Sequence, residues 1–468
     1  MTDKQVMLSE QEFDVLIIGA GVVGCAMARR FALNGAKVAL VEKAADILDG
    51  ASKANSAILH TGFDAPTGSV ELGCVQAGYR EYHDIHQSLG LTVERCGAYV
   101  VAWTEAEMAK LAAIKAQAHE NGVADVGMVS ASALQKQEPH LATALGAISV
   151  PGESIIDPWS APYVYGQQAI ENGAQVFCAC AVQSGEYTGS IWRVETTRGL
   201  LKARVVINCA GLYGDRVDTA LLGKTDFKIT PRKGQFVVFD KAASALLNAV
   251  ILPVPTARTK GIVLFRTVFG NLAVGPTAED QNSRTDASTD AETLKALLME
   301  AGQKLPALKG MPITATYAGL RPATEYKDYQ IKARPAEGWI TVGGIRSTGL
   351  SGALGIAQHV FALYQSMGHR HTALAAPVVP RAKVLAESGM RDWQLPEHGE
   401  IVCHCELVTR REVEAALKGP LAAKSLAGLK RQTRATMGRC QGFYCSARLA
   451  ELTEGQFEMP LVEDISHD

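Results

Sequence analysis

Residues 14–18 read DVLII, an unbroken apolar run suited to a parallel strand covered on both faces. The pattern then turns helical over 22–34, Gly35 stands where a C-terminal stop belongs, and KVALV (37–41) predicts a second buried strand ending at Glu42. RVVINCAG (204–211) predicts another buried strand that ends in Ala-Gly. WITVGGIRSTGLSGALGIAQHV (339–360) predicts a strand, a glycine-rich turn and a helix from about Leu350. TARTKGIVLFRTVFGNLAVGP (256–276) reads as a hairpin. In VFCACAVQ, Cys178 and Cys180 fall on one face of an expected strand and are assigned to the core. Prolines replace periodicity over 376–398, which marks a linker. Beyond it, Thr409 and Glu412 have capping-box spacing and open a helix to about Leu417, and another helix is expected from about Ser446.

A length of 468 residues allows two or three domains. The net charge of -2 gives no basic field for nucleic acid, so nucleic-acid partners are not expected. No apolar run reaches the ~18–20 residues that span a bilayer, and the opening MTDKQVMLSEQEFD lacks a signal-peptide pattern. These features point to the cytoplasm, leaving open a peripheral contact with the inner face of the membrane, an oligomer or a partner subunit. In that compartment paired cysteines serve metal or redox chemistry rather than structural disulfides.

Between the first two strands lies Gly19-x-Gly21-x-x-Gly24. The first glycine permits the tight turn, the second lets backbone approach a pyrophosphate, and the third lets helix and strand pack closely. The helix N-terminus then faces the phosphates, and Glu42, with Lys43 beside it, is placed for the ribose. This unit by itself does not separate NAD from FAD. The small, polar segment ASKANSAILHTG (51–62), with Ser52, Asn55 and Ser56, favours FAD, because it suits a loop lying along a pyrophosphate and a flat ring. Ala210 and Gly211 end a second strand where backbone can approach a cofactor, and Gly344, Gly349, Leu350 and Ser351 bring another turn and helix N-terminus toward a reduced flavin.

Together GAGVVG (19–24), NSAILHTG (55–62), INCAG (207–211), AGLRPAT (318–324) and GIRSTGLSG (344–352) resemble the D-amino-acid-oxidase superfamily of FAD-dependent oxidoreductases, over about residues 12–375. The resemblance is strongest to its glycerol-3-phosphate and L-2-hydroxyglutarate dehydrogenase branches. It implies an α/β Rossmann-like FAD-binding domain (about 12–85, 150–225 and 320–375) interleaved with an α+β substrate domain on a mixed sheet (about 86–149 and 226–319). It also implies that Arg321 faces the substrate above the flavin, that His60 lies close to the ring, and that Val182 contacts the adenine. Arg321 offers a planar, charged fork to a carboxylate or phosphate, the alternative being a surface ion pair with Glu325. His60 has the pKa of a base for a hydroxyl proton, the alternative being a cofactor contact alone. Tyr317, Lys260 and Arg266 are further candidates for the substrate pocket. His83, His86, His119, His369 and His371 show no partner spacing.

Four of the ten cysteines, Cys403, Cys405, Cys440 and Cys445, form C-x-C-x34-C-x4-C near the end of the chain. The C-x-C bite is tighter than a zinc knuckle, although zinc remains the rival to an iron–sulfur cluster. Both pairs are expected near helix N-termini, with Gly438 and Gly442 freeing backbone N–H groups, His404 turned away and Arg410, Arg411, Arg434 and Arg439 offsetting the cluster's negative charge. The segment 399–457 resembles the small α-helical bacterioferritin-associated ferredoxin-like domain that holds a [2Fe-2S] cluster, with 458–468 as a tail.

The expected activity is an FAD-dependent dehydrogenase. It would oxidise the C–OH of a small anionic compound, glycerol 3-phosphate first and a 2-hydroxy acid such as 2-hydroxyglutarate second, and pass electrons through the cluster to a quinone or redox protein. The alternatives are an opine or amino-acid (C–N) dehydrogenase and a non-catalytic electron-transfer or redox-sensor subunit.

Overall fold

A computed structural model describes residues 11–255 and 261–457. Strands β1 (Gln11–Ile18) and β2 (Val38–Val41) lie parallel, Val15 opposite Val38 and Ile18 opposite Val41, joined by helix α1 (Val22–Leu33). Gly199–Asn208 runs parallel on the other side of β1, and Trp339–Gly343 pairs parallel along the outer edge of its C-terminal half, Val206 opposite Trp339. Gln175–Phe177 pairs parallel with β2. The run DVLII does not alternate because both its faces are buried. Val15 and Ile17 pack with α1 residues such as Met27 and Phe31, while Leu16 and Ile18 pack with Trp192 and Trp339. Gly35, at φ +84°, ends α1 as expected.

Cys178 and Cys180 depart from expectation. They follow the strand Gln175–Phe177 rather than lying in it, and Ala179 between them has φ +49°. The two thiols therefore join different cores, and burial pushes Cys178 up to about 12.

Among the described residues the second sheet has nine strands, and its longest pairing is antiparallel, Thr230–Phe239 against Ile313–Ala323. Since Ile313–Ala323 belongs to this sheet throughout, the boundary expected at 320 moves to the end of that strand. The hairpin expected over 256–276 is observed as Val263–Arg266 against Leu272–Gly275. A three-stranded sheet ties the two halves together, with Ile58 opposite Ile155, Leu59 opposite Ser154, and Val93–Glu94 on the other edge of the same strand.

The expected linker is pinned along its length. Val378 N–H donates to Asn172 Oδ1, Ala382 N–H to the Leu89 carbonyl and Glu387 N–H to the Val268 carbonyl. Leu385 and Ala386 are buried in the substrate-domain core. The C-terminal domain is not wholly helical. A two-stranded hairpin, Ile401–Cys403 with Val408–Thr409, precedes helices Arg410–Ala416, Leu426–Thr433 and Ser446–Leu452. The capping box of Thr409 and Glu412 is present.

Candidate active site and metal centre

The glycine turn is built by close approach. Gly19, at φ +100°, faces the end of Gly199–Asn208: a Cβ there would come within 2.7 Å of the Cys209 carbonyl oxygen, and one on Gly24 would collide with the Gly19 carbonyl. Only glycine fits either position. Gly21 caps α1 without a side-chain hydrogen bond and the first turn holds no acidic residue, so the positive end of the helix is not neutralised. Ser52 Oγ accepts from Val22 N–H at 3.0 Å. Glu42 accepts from Ala20 N–H (2.8 Å) and Ala44 N–H (3.0 Å), and burial pushes its carboxyl above the ordinary range. Lys43 is exposed, its Nζ 3.4 Å from the centroid of the Tyr213 ring. Val182 begins the strand Val182–Tyr187, next to Ala181, whose N–H donates to Thr197 Oγ1. Ala210 N–H donates to Asn208 Oδ1, and Gly211 has φ +53°.

The segment 51–62 lies between the two sheets. Asn55 Oδ1 accepts from Ala57 N–H (2.7 Å), its Nδ2 donates to the Ser52 carbonyl, and Ser56 beside it is half-buried. Alternate residues Tyr317, Gly319 and Arg321 share one face of Ile313–Ala323, as strand geometry requires. Tyr317 OH donates to the Asn55 carbonyl at 2.9 Å, and its ring stacks on Phe236 with centroids 4.6 Å apart. A Cβ on Gly319 would lie 2.8 Å from the Ala54 carbonyl oxygen, so this glycine admits the loop. Arg321 Nη2 donates to the Thr277 carbonyl at 2.7 Å, over Gly234, where a side chain would collide with it.

Arg321 does not pair with Glu325, which instead accepts from Lys228 N–H. Across the strands it faces Arg232, which forms a forked ion pair with Asp280 (2.6 and 3.1 Å). Burial first and then Arg232 lower the Arg321 guanidinium to about 10, so it is still charged at neutral pH. Among the described residues Arg321 has no carboxylate ion-pair partner.

His60 is joined to a residue with no motif to mark it. Its Nδ1 lies 2.7 Å from Glu153 Oε2, while Glu153 Oε1 accepts from Thr61 N–H (2.7 Å) and Thr61 Oγ1 (2.9 Å). Ser351 Oγ accepts from His60 N–H at 2.8 Å and donates to the Ile58 carbonyl at 3.1 Å. Ser351 and Leu350 lie in the first turn of Gly349–Ser366, after the turn at Gly344 (φ +69°). Arg266 lies apart from this cluster, its Nη2 on the Asn248 carbonyl, and Lys260 falls outside the described residues.

The terminal cysteines are free thiols that act on one another electrostatically, Cys405 with Cys440 and Cys403, and Cys445 with Cys403 and Cys440. Among the described residues no group of three or more His, Cys, Asp or Glu side chains is gathered closely enough to hold a single metal ion. Two thiol pairs suit a two-iron cluster better than one zinc. Backbone amides, that of Tyr444 above all and then those of Gly442 and Phe443, hold the Cys440 thiol below its ordinary pKa. Gln441 (φ +50°) and Gly442 (φ +90°) set that loop. Cys445 caps Ser446–Leu452, but Cys403 and Cys405 belong to the hairpin and not to a helix start. The four arginines expected at the cluster are engaged elsewhere: Arg410 with Glu414, Arg411 with Asp392, Arg434 with Glu406 and Arg439 with Asp240.

Comparison with known proteins identifies the two domains. Residues 14–363 match the family described as FAD dependent oxidoreductase, and residues 401–454 match a BFD-like [2Fe-2S] binding domain. A glycerol 3-phosphate dehydrogenase of Caloramator mitchellensis is 32% identical over 460 residues, with 96% of each chain covered. One subunit of the anaerobic glycerol-3-phosphate dehydrogenase of Escherichia coli (strain K12) is 26% identical, covering 95% of this chain and 88% of its own. Among solved structures, the FAD-bound L-alpha-glycerophosphate oxidase of Mycoplasma pneumoniae superposes with a TM-score of 0.75 at 25% identity, over 80% of this chain and 100% of its own.

Proposed function

The chain belongs to the FAD-dependent oxidoreductase family and carries a BFD-like [2Fe-2S] domain, and on that premise we propose that it oxidises the secondary alcohol of glycerol 3-phosphate. The observation that carries this reading is Arg321, a half-buried guanidinium beside Arg232 that donates to a carbonyl and has only the Asp280 carboxylate, already paired with Arg232, acting on it from farther off. Such a charge is costly until an anion meets it. A phosphate supplies two charges and a forked acceptor. Substrate names borne by the similar proteins support the same choice.

His60 is the proposed base. Glu153 takes the Nδ1 proton in a hydrogen bond and so leaves Nε2 as the acceptor for the substrate hydroxyl proton. Tyr317 and Gly319 set the distance between the strand and the loop of Ser52, Asn55 and Ser56, along which the flavin would lie. Gly19, Gly21, Gly24, Glu42, Ala210 and Gly211 would hold the dinucleotide, with Lys43 and Val182 at its edge, and Gly344, Gly349, Leu350 and Ser351 the ring. When bound, FAD supplies the hydride acceptor and the cluster a one-electron exit toward an external quinone or redox protein, by direct contact or through a partner subunit. The same arginine would accept a carboxylate, which makes 2-hydroxyglutarate the second substrate to test.

Mixing the holoenzyme anaerobically with glycerol 3-phosphate, 2-hydroxyglutarate and a panel of amino acids tests this. Glycerol 3-phosphate should bleach the flavin fastest. Arg321→Ala should lose that bleaching by about 100-fold or more, the scale of about 3 kcal/mol at the upper end for a hydrogen bond to a charged group. Bleaching by amino acids alone, or by none of the panel, overturns the reading.

A further inference from the structure

Three distant segments meet between the flavin loop and the cysteine domain. Trp159 stands at the start of helix Ser160–Glu171, and its indole N–H donates to the Lys53 carbonyl at 3.1 Å. Lys53 adjoins Ser52, whose hydroxyl sits at the α1 N-terminus, and Ala54, which packs on Gly319. Phe269 occupies the turn between Val263–Arg266 and Leu272–Gly275, and its ring stacks on Trp159 with centroids 5.4 Å apart and planes 12° from parallel. Arg434, in the left-handed residue that ends Leu426–Thr433, lays its guanidinium 3.8 Å from the Phe269 centroid.

From Arg434 the contacts run on to the cysteines by two routes. Arg434 Nε bonds Glu406 Oε2 at 3.0 Å, and Glu406 follows Cys405 in the chain. Arg434 is also two residues from Thr436, whose side chain packs against Gly442 in the loop between Cys440 and Cys445. Phe269 and Arg434 are each only 4% exposed, so water is excluded from the middle of this line. Tunnelling decays less steeply through contacting π systems and hydrogen bonds than across a gap. A dry path also leaves little solvent to reorient when charge moves.

We infer that the Trp159–Phe269 stack, capped by Arg434, is the electron bridge between the flavin site and the iron–sulfur site. The inference rests on the proposed dehydrogenase reading. Oxidation of one C–OH to a carbonyl places two electrons on the flavin. They cross the bridge singly, each reducing one oxidised cluster by one electron. The corresponding protons leave to solvent, and a one-electron acceptor such as ferricyanide collects the electrons from the cluster.

Rapid-mix, freeze-quench experiments on the holoenzyme can follow flavin bleaching by absorbance and cluster reduction by electron paramagnetic resonance. Trp159→Leu and Phe269→Leu remove the π contacts, whereas Trp159→Phe keeps a ring. Flavin bleaching should stay within about twofold of wild type, and cluster reduction should slow about tenfold or more in both leucine variants and recover in Trp159→Phe. Wild-type cluster reduction in both leucine variants overturns the bridge. So does a Trp159→Phe rate as slow as Trp159→Leu, or a shift in either cofactor's potential, read by redox titration, large enough to explain the slowing. Phe269→Leu, from a separate segment, decides the matter if Trp159→Leu does not retain its flavin. Photochemical reduction of the flavin starts the same transfer without substrate. Failure of glycerol 3-phosphate to bleach the flavin therefore counts against the substrate assignment, while the bridge is still measured.

Discussion

Glu153 is fully buried, and its carboxylate is hydrogen-bonded to His60 and Thr61. Glu153→Gln keeps the shape and removes the charge that orients and supports His60. Its expected effect is a fall in the flavin-reduction rate of about 10- to 100-fold with little change in substrate affinity, measured by single-turnover absorbance across substrate concentrations. His60 was legible from its place in the HTG segment. Glu153 was not, because 93 positions separate it from His60 and the strand pairing of Ile58 with Ile155 and Leu59 with Ser154 brings them together. A second residue-scale prediction concerns Asp215, held by both Arg284 nitrogens (2.5 and 2.8 Å). Burial works to raise its carboxyl, but Arg284 and the Ile229 N–H outweigh it and keep the pKa below the ordinary 3.8. Because the folded value is the lower one, this pair contributes stability above pH 3.8 and loses it as pH falls through the folded value. Asp215→Asn should cost about 3 kcal/mol at neutral pH, and the deficit should shrink in denaturant melts below that window.

The strand Ile313–Ala323 sets the shape of the site through residue alternation. Gly319→Ala would place a methyl group against the backbone of Ala54, which cannot turn aside as a flexible side chain could. Displacing the loop should weaken FAD binding about tenfold, within the ~1–3 kcal/mol of an overpacked contact, in a titration of the apoprotein. Most elements were legible because their signals are local: the DVLII run, the glycine turn, the helix after Thr348, the capping box at Thr409. The strand pairing of Arg321 with Arg232 was not, since neither residue marks the other in sequence. The cysteines at 178 and 180 misled because strand alternation was assumed where the backbone turns at Ala179.

Across the whole molecule, Asp46 joins the FAD-binding part to the C-terminal domain. Its carboxylate accepts from Lys424 N–H (2.9 Å) and Ser425 Oγ (2.6 Å) at the start of Leu426–Thr433, while Arg431 donates to the Ile47 carbonyl. Asp46→Ala should destabilise this docking by about 1–2 kcal/mol, seen as earlier proteolytic release of the C-terminal domain with the flavin retained. A matched pair of domains was readable from sequence, but their attachment was not, because a proline-rich stretch looks the same whether it hangs free or is pinned. Here the strap at 376–398 is tied to Asn172, Leu89 and Val268, and Leu385 and Ala386 are sunk in the core. No swinging arm is then available to carry the cluster to and from the flavin. The internal redox step should therefore be indifferent to added glycerol or sucrose, whereas a tethered shuttle would slow in proportion to solvent viscosity.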